Sequence, residues 1–84
     1  MALDILITLL KTDTDLDNTW KVNDEQQILF FNNHKELVGM AFYEAGSLGY
    51  DKGLIALIGP AFPIGYLTAE EVYSRWANYI MKEN

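Results

Sequence analysis

The stretch GLIALIGPAFPIGYLTA, residues Gly53 to Ala69, contains no charged side chain, although 21% of the residues in the chain are charged. Its apolar side chains need burial, because an exposed apolar patch of this size is a binding surface or an aggregation liability. Leu54 to Ile58 is an apolar run whose short length favours a buried strand over a helical turn. We therefore expect the rest of the chain to pack around this segment.

The following residues, Gly59 to Tyr66, are predicted to form an irregular loop. Pro60 and Pro63 lack a backbone donor and disfavour helical angles in the residue before each of them. The same breaks argue against a membrane-spanning helix, so we expect no membrane association. Phe62 and Tyr66 lie in this loop, and we expect both side chains to be exposed for contact with a protein partner.

A C-terminal helix over residues 69–82 is predicted by the pattern that follows the loop. Thr68 and Glu71 have the spacing of a capping box, in which each side chain bonds the backbone N–H of the other residue. Val72, Trp76 and Ile80 then recur at intervals of four, which places them on one helix face.

At the N-terminus, residues 2–11 favour a second amphipathic helix. Leu3, Leu6 and Leu10 have helical spacing, and Asp4 and Lys11 complement the helix dipole. A strand with alternating apolar residues is the competing interpretation. Because Asp4 interrupts the apolar run and no basic residue precedes it, we expect no signal peptide.

Residues 19–22 and 27–31 are predicted to pair as a β-hairpin. Trp20 and Val22 alternate with polar residues, Asn23 and Asp24 suit a turn, and an apolar run follows. A helix that begins at Asp24 is the alternative.

A helix is predicted over residues 34–45, because Asn33 and Glu36 form a capping-box pattern ahead of a run of apolar residues. The apolar residues recur at spacings of one, three and four, and they are Leu37, Val38, Ala41, Phe42 and Ala45. Gly46 is expected to cap the helix end.

These elements together predict a small α+β fold for residues 1–84 as a single domain, with an all-α bundle as the alternative. The predicted core consists of Leu6, Leu10, Trp20, Ile28, Phe30, Val38, Ala41, Phe42, Leu54, Leu57, Val72, Trp76 and Ile80.

The charge balance constrains the partner. Twelve acidic residues against six basic ones give a net charge of −6, which disfavours direct nucleic-acid binding. An acidic domain attracts a protein partner with a basic surface. The chain has no cysteine, which excludes disulfides and thiolate chemistry and is consistent with a cytoplasmic location.

Residues 13–25 hold the densest acidic segment: Asp13, Asp15, Asp17, Asp24 and Glu25. We expect them to contact the basic partner. The first four also match ligand positions of a calcium-binding loop, although Trp20 and Lys21 depart from that pattern and Asp24 reaches less far than the usual Glu. Calcium binding is therefore an alternative hypothesis.

No catalytic constellation is visible in the sequence. His34 is the single histidine, and Glu36 does not face it at a spacing of two on a helix. We therefore expect no enzymatic activity and no cofactor. The leading hypothesis is a non-enzymatic, acidic protein-binding module of inhibitor or immunity type. A calcium-responsive module and a subunit or homodimer of a larger assembly are the alternatives.

Overall fold

The computed structural model describes residues 2–44, 53–62 and 65–83. In this part of the chain, two helices and five strands are joined in the order α1 (Ala2–Thr12), a 3-10 turn (Thr14–Leu16), β1 (Trp20–Val22), β2 (Ile28–Phe31), β3 (Leu37–Phe42), β4 (Ile55–Ile58), β5 (Gly65–Leu67) and α2 (Ala69–Glu83). The strands form an antiparallel meander in the order β1-β2-β3-β4-β5. The α+β prediction is confirmed, and the all-α alternative is wrong.

Helix α1 confirms the helical interpretation of the N-terminus. Leu3, Leu6 and Leu10 are buried along one face, as their spacing predicted. The helix is tied to the sheet side of the molecule by the backbone N–H of Leu3, which donates to the Tyr43 hydroxyl at 2.8 Å.

The hairpin prediction is confirmed by the pairing of β1 with β2, in which Trp20 lies opposite Phe30 and Val22 opposite Ile28. Asn23 organises the turn between them. Its side-chain oxygen accepts the backbone N–H groups of Glu25 and Gln27, and its amide donates to the Gln27 side chain.

The helix predicted over residues 34–45 is wrong, because Leu37 to Phe42 form strand β3 between β2 and β4. Asn32 starts a turn in place of the predicted cap at Asn33. The Asn32 side-chain oxygen accepts the backbone N–H groups of His34 and Glu36. Gly46, the predicted end of that helix, lies outside the described residues.

A β-bulge explains why this strand has a helix-like apolar spacing. Phe30 pairs with Gly39 and Phe31 with Leu37, so Val38 is an extra residue in β3. Val38 and Ala41 are therefore both buried although they are three residues apart. In a regular strand, residues at that spacing point to opposite faces.

The central apolar segment, residues 53–69, agrees with the prediction in its first part and differs from it in its last part. Ile55 to Ile58 form the expected buried strand, β4. Gly65 to Leu67 form β5 at the sheet edge, within and just beyond the predicted irregular loop.

The capping box of α2 is confirmed. The Thr68 backbone N–H and hydroxyl both donate to Glu71 Oε1, and the Glu71 N–H donates to the Thr68 hydroxyl at 3.2 Å. The bond from the Thr68 backbone, followed by that from its hydroxyl, lowers the pKa of the Glu71 carboxyl.

One core joins both helices to one face of the sheet, which we call the inner face. Trp76 of α2 lies at its centre, 4.9 Å from Phe30 and 5.9 Å from Phe62 between ring centroids. Most of the predicted core residues are buried, whereas Trp20, Phe42 and Leu54 are only partly buried. The helices therefore form one layer of the molecule and the sheet forms the other.

Candidate functional site

The acidic residues predicted to bind a partner divide between two places in the fold. Asp13, Asp15 and Asp17 lie in or beside the 3-10 turn that follows α1. Asp24 and Glu25 lie in the turn between β1 and β2. Within the first group, Asp13 and Asp15 lie next to α2.

Asp13 has a structural role that the sequence did not reveal. Its Oδ1 accepts the backbone N–H of Asp15 at 3.1 Å, which caps the 3-10 turn, and its Oδ2 accepts the Tyr73 hydroxyl at 2.7 Å. That hydrogen bond to a carboxylate is the main cause of a raised pKa for the Tyr73 hydroxyl, and burial adds to it.

Asp13 and Asp15 line a groove of about 340 Å³ between the 3-10 turn and α2. We call this the acidic groove. Its remaining walls are apolar and are formed by Leu16, Ala77, Ile80 and Met81. Met81 is 69% exposed and lies at the open side of the helix layer. An aliphatic side chain with a terminal cation fits such a surface, because its stem contacts apolar atoms and its charge meets a carboxylate.

The calcium hypothesis finds no matching geometry in the described residues, which include all four proposed ligands. No group of three or more His, Cys, Asp or Glu side chains lies close enough to hold a metal ion there. The residues after Asn18 enter strand β1 instead of the exiting helix that a calcium-binding loop requires. Calorimetry with millimolar calcium is the direct test of this hypothesis.

Phe62 is not exposed, and its prediction as a surface aromatic is wrong. The side chain is 5% exposed and packs edge-on against Phe30, with ring centroids 5.0 Å apart. Its ring covers Gly39 so closely that a Cβ atom there would lie 2.6 Å from Phe62 Cε2. The burial of Phe62 thus depends on a glycine in strand β3, which local sequence patterns around Phe62 do not show.

Tyr66 is exposed, as predicted, and lies on edge strand β5. It is 38% exposed, and its hydroxyl donates to Glu44 Oε1 at 2.8 Å. Together with Phe42, Ala56 and Ile58 it lines a shallow depression of about 180 Å³. Tyr66 is therefore part of a larger surface on the sheet.

That surface is the face of the sheet directed away from the helices, which we call the outer face. The strand register places on it Lys21, Leu29, Phe31, Leu37, Met40, Phe42, Ala56, Ile58 and Tyr66. Sequence reasoning missed this face because β3 was assigned to a helix. The available signal was the uninterrupted apolar runs in β2 and β3, since a strand that is apolar at successive positions has two apolar faces.

His34 lies exposed in the turn between β2 and β3, where its backbone N–H donates to the Asn32 side chain.

In comparisons with protein-family models, curated proteins and solved structures, no match to this chain was found. Neither helix within the described ranges has the length and hydrophobicity needed to cross a membrane.

Proposed function

We propose that the protein is a non-enzymatic binding module that recognises a Lys or Arg side chain on the basic surface of a larger protein. The acidic groove is the observation that supports this proposal. It combines the carboxylates of Asp13 and Asp15 with an exposed thioether, Met81, in one concave surface.

The two carboxylates have different roles in this proposal. The Asp13 carboxylate accepts hydrogen bonds from the Asp15 N–H and the Tyr73 hydroxyl, so its position is fixed before a partner binds. Asp15 is exposed and presents its carboxylate to the incoming cation. A prearranged acceptor lowers the entropy lost on binding.

The net charge of −6 supports the same kind of partner. A negative field accelerates encounter with a basic surface, and the groove then selects a cationic side chain from that surface. In this proposal the protein masks the basic surface of its partner in the cytoplasm, in the manner of an inhibitor or immunity protein, and contacts neither nucleic acid nor membrane.

The test starts with capture of the partner from the native host by crosslinking, followed by affinity measurements with two charge-reversal variants. Asp15→Lys changes the groove, whereas Asp24→Lys makes the same change of net charge in the turn between β1 and β2. We expect Asp15→Lys to weaken binding roughly tenfold or more and Asp24→Lys to weaken it much less.

Added salt is expected to weaken the complex, because the charges at the groove are partly solvated. Equal losses in the two variants would show that the groove has no special role. Binding that is insensitive to salt and to Asp15→Lys would overturn the electrostatic mechanism.

A further inference from the structure

The outer face of the sheet is a second surface, separate from the acidic groove. The buried core contains inner-face residues such as Ile28, Phe30 and Ala41 together with both helices. Leu29, Phe31, Met40 and Phe42 belong neither to that core nor to the partly buried residues packed against it. Side chains on this face therefore add nothing to the core between sheet and helices.

The outer face is strongly apolar and remains accessible. Leu37 and Ile58 are 57% and 50% exposed, and Leu29, Phe31, Met40 and Phe42 are each partly exposed between them. A contiguous apolar surface of this kind on a small acidic protein indicates an interface with another polypeptide.

Charges of opposite sign lie at opposite ends of this face. Where β2 ends and β3 begins, Lys21 and Lys35 line a cavity of about 460 Å³ together with Phe31, and Lys21 Nζ is 5.6 Å from the centre of the Phe31 ring. Glu36 lies in the same turn as Lys35, but it bonds Asn32 and does not line the cavity. At the other end of β3, Glu44 accepts the Tyr66 hydroxyl beside the shallow depression.

We propose that the outer face is the interface of a homodimer, in which a second copy of this chain packs sheet against sheet. Two identical faces meet through a twofold axis that lies in the plane of the interface. An axis that passes over Met40 of the central strand and runs obliquely to the strands exchanges the two ends of the face. It therefore places Lys21 and Lys35 of each copy opposite Glu44 of the other, with the apolar residues facing one another.

This arrangement satisfies both features of the surface at once. Packed sheets lie about 10 Å apart, a distance that the outward-facing apolar side chains of the two copies fill. An axis that superposed like ends would instead bring lysines against lysines, which charge repulsion disfavours. The polarity of the face thus selects both the partner and its orientation.

A charge-swap series tests the orientation, with the monomer–dimer equilibrium measured by sedimentation equilibrium. The wild-type chain is expected to form a species of twice the 9.6 kDa chain mass. Lys21→Glu/Lys35→Glu and Glu44→Lys should each raise the dimer dissociation constant roughly tenfold, because each places like charges opposite one another. The triple variant Lys21→Glu/Lys35→Glu/Glu44→Lys restores opposite charges and should return to within about threefold of wild type.

A second pair of variants tests the apolar part of the face. Ile58 on the outer face and Ile5 on α1 are 50% and 48% exposed, so each accepts Asp without burying a charge. Ile58→Asp is expected to abolish dimerisation, whereas Ile5→Asp should leave it unchanged. Circular dichroism of both variants verifies that each chain remains folded.

Three results would overturn the proposal. These are a wild-type chain that stays monomeric at the highest soluble concentration, a dimer that persists in folded Ile58→Asp, and a triple charge swap that is no better than the two variants that change only one end. None of these substitutions changes a residue that lines the acidic groove. A failure of the dimer proposal would therefore leave the proposed function of the groove untouched.

Discussion

At the scale of single residues, Thr19 joins three parts of the fold. Its hydroxyl donates to the Leu16 carbonyl at 2.6 Å and accepts the indole N–H of Trp76 at 2.9 Å. Its backbone carbonyl accepts the N–H of Phe31 at 2.8 Å. Thr19 is buried, and buried polar groups are stable only when they are hydrogen-bonded. One hydroxyl thus supplies the acceptor that the central tryptophan needs.

Replacing this hydroxyl by a methyl group tests its contribution. Thr19→Val keeps the shape of the side chain but leaves the Trp76 N–H without an acceptor in the core. We expect the free energy of unfolding to fall by about 1–3 kcal/mol. Denaturant titration followed by tryptophan fluorescence measures this change.

Thr19→Ser is the matched control, because it keeps the hydroxyl and removes only a methyl group. The expected loss is about 1 kcal/mol or less. A Thr19→Val protein that is as stable as Thr19→Ser would show that the bond to Trp76 contributes no stability.

At the scale of secondary-structure elements, two successive hairpin turns have the same construction. In residues 23–27 and 32–36, the first Asn accepts two backbone N–H groups, and its amide donates to the side chain of the fifth residue. The fourth residue of each turn is left-handed, with φ of 62° at Gln26 and 63° at Lys35. The side chain of one asparagine therefore sets each turn.

Asn32→Ala removes the acceptor and the donor that hold the second turn. We expect the free energy of unfolding to decrease by about 1 kcal/mol, since three exposed hydrogen bonds are lost together. Thermal unfolding followed by circular dichroism measures the effect. Asn32→Asp keeps the acceptor oxygens and should recover part of the loss. Equal stability of Asn32→Ala and wild type would refute this role for the side chain.

The same turn shows what could be predicted from the sequence and what could not. Helix α2 and the hairpin of β1 and β2 were predicted because local patterns determine them. Before β3, the sequence Asn32-Asn33 followed by Glu36 fits two local structures. It matches a helix capping box that begins at Asn33, and it also matches the turn that begins at Asn32, which is the one that forms. The bulge at Val38 then produced a helix-like spacing. Pairing with β2 and β4 decides the conformation, and such non-local pairing is invisible to a local pattern.

At the scale of the whole molecule, the two proposed binding surfaces lie on opposite layers. The density of acidic residues in the sequence indicated Asp13 and Asp15. It did not indicate Met81, because only the packing of α2 brings Met81 next to them. The outer face was missed together with β3. Phe62 was misplaced because its burial depends on Gly39 and Trp76. Composition thus predicted the charged half of the groove, whereas the apolar surfaces required the tertiary structure.

One hydrogen bond joins the segment after α1 to α2 and contributes a pH-dependent part of the stability of the fold. The Tyr73 hydroxyl on α2 donates to Asp13 after α1, and this bond raises the pKa of Tyr73 above its ordinary value of 10.0. The folded state therefore favours the protonated phenol more than the unfolded state does. The resulting stabilisation is present below pH 10 and is lost as the pH rises through the raised pKa of the folded state.

Tyr73→Phe isolates this effect, because all other groups that titrate at high pH are the same in both proteins. We expect wild type to be the more stable protein at pH 8, because Tyr73→Phe removes the donor of the hydrogen bond to Asp13. The difference should shrink as the pH rises past the raised pKa, because the phenolate cannot donate and is repelled by Asp13. Denaturant unfolding at a series of pH values measures it. A difference that stays constant from neutral to strongly alkaline pH would show that the phenol does not hold the two helical ends together.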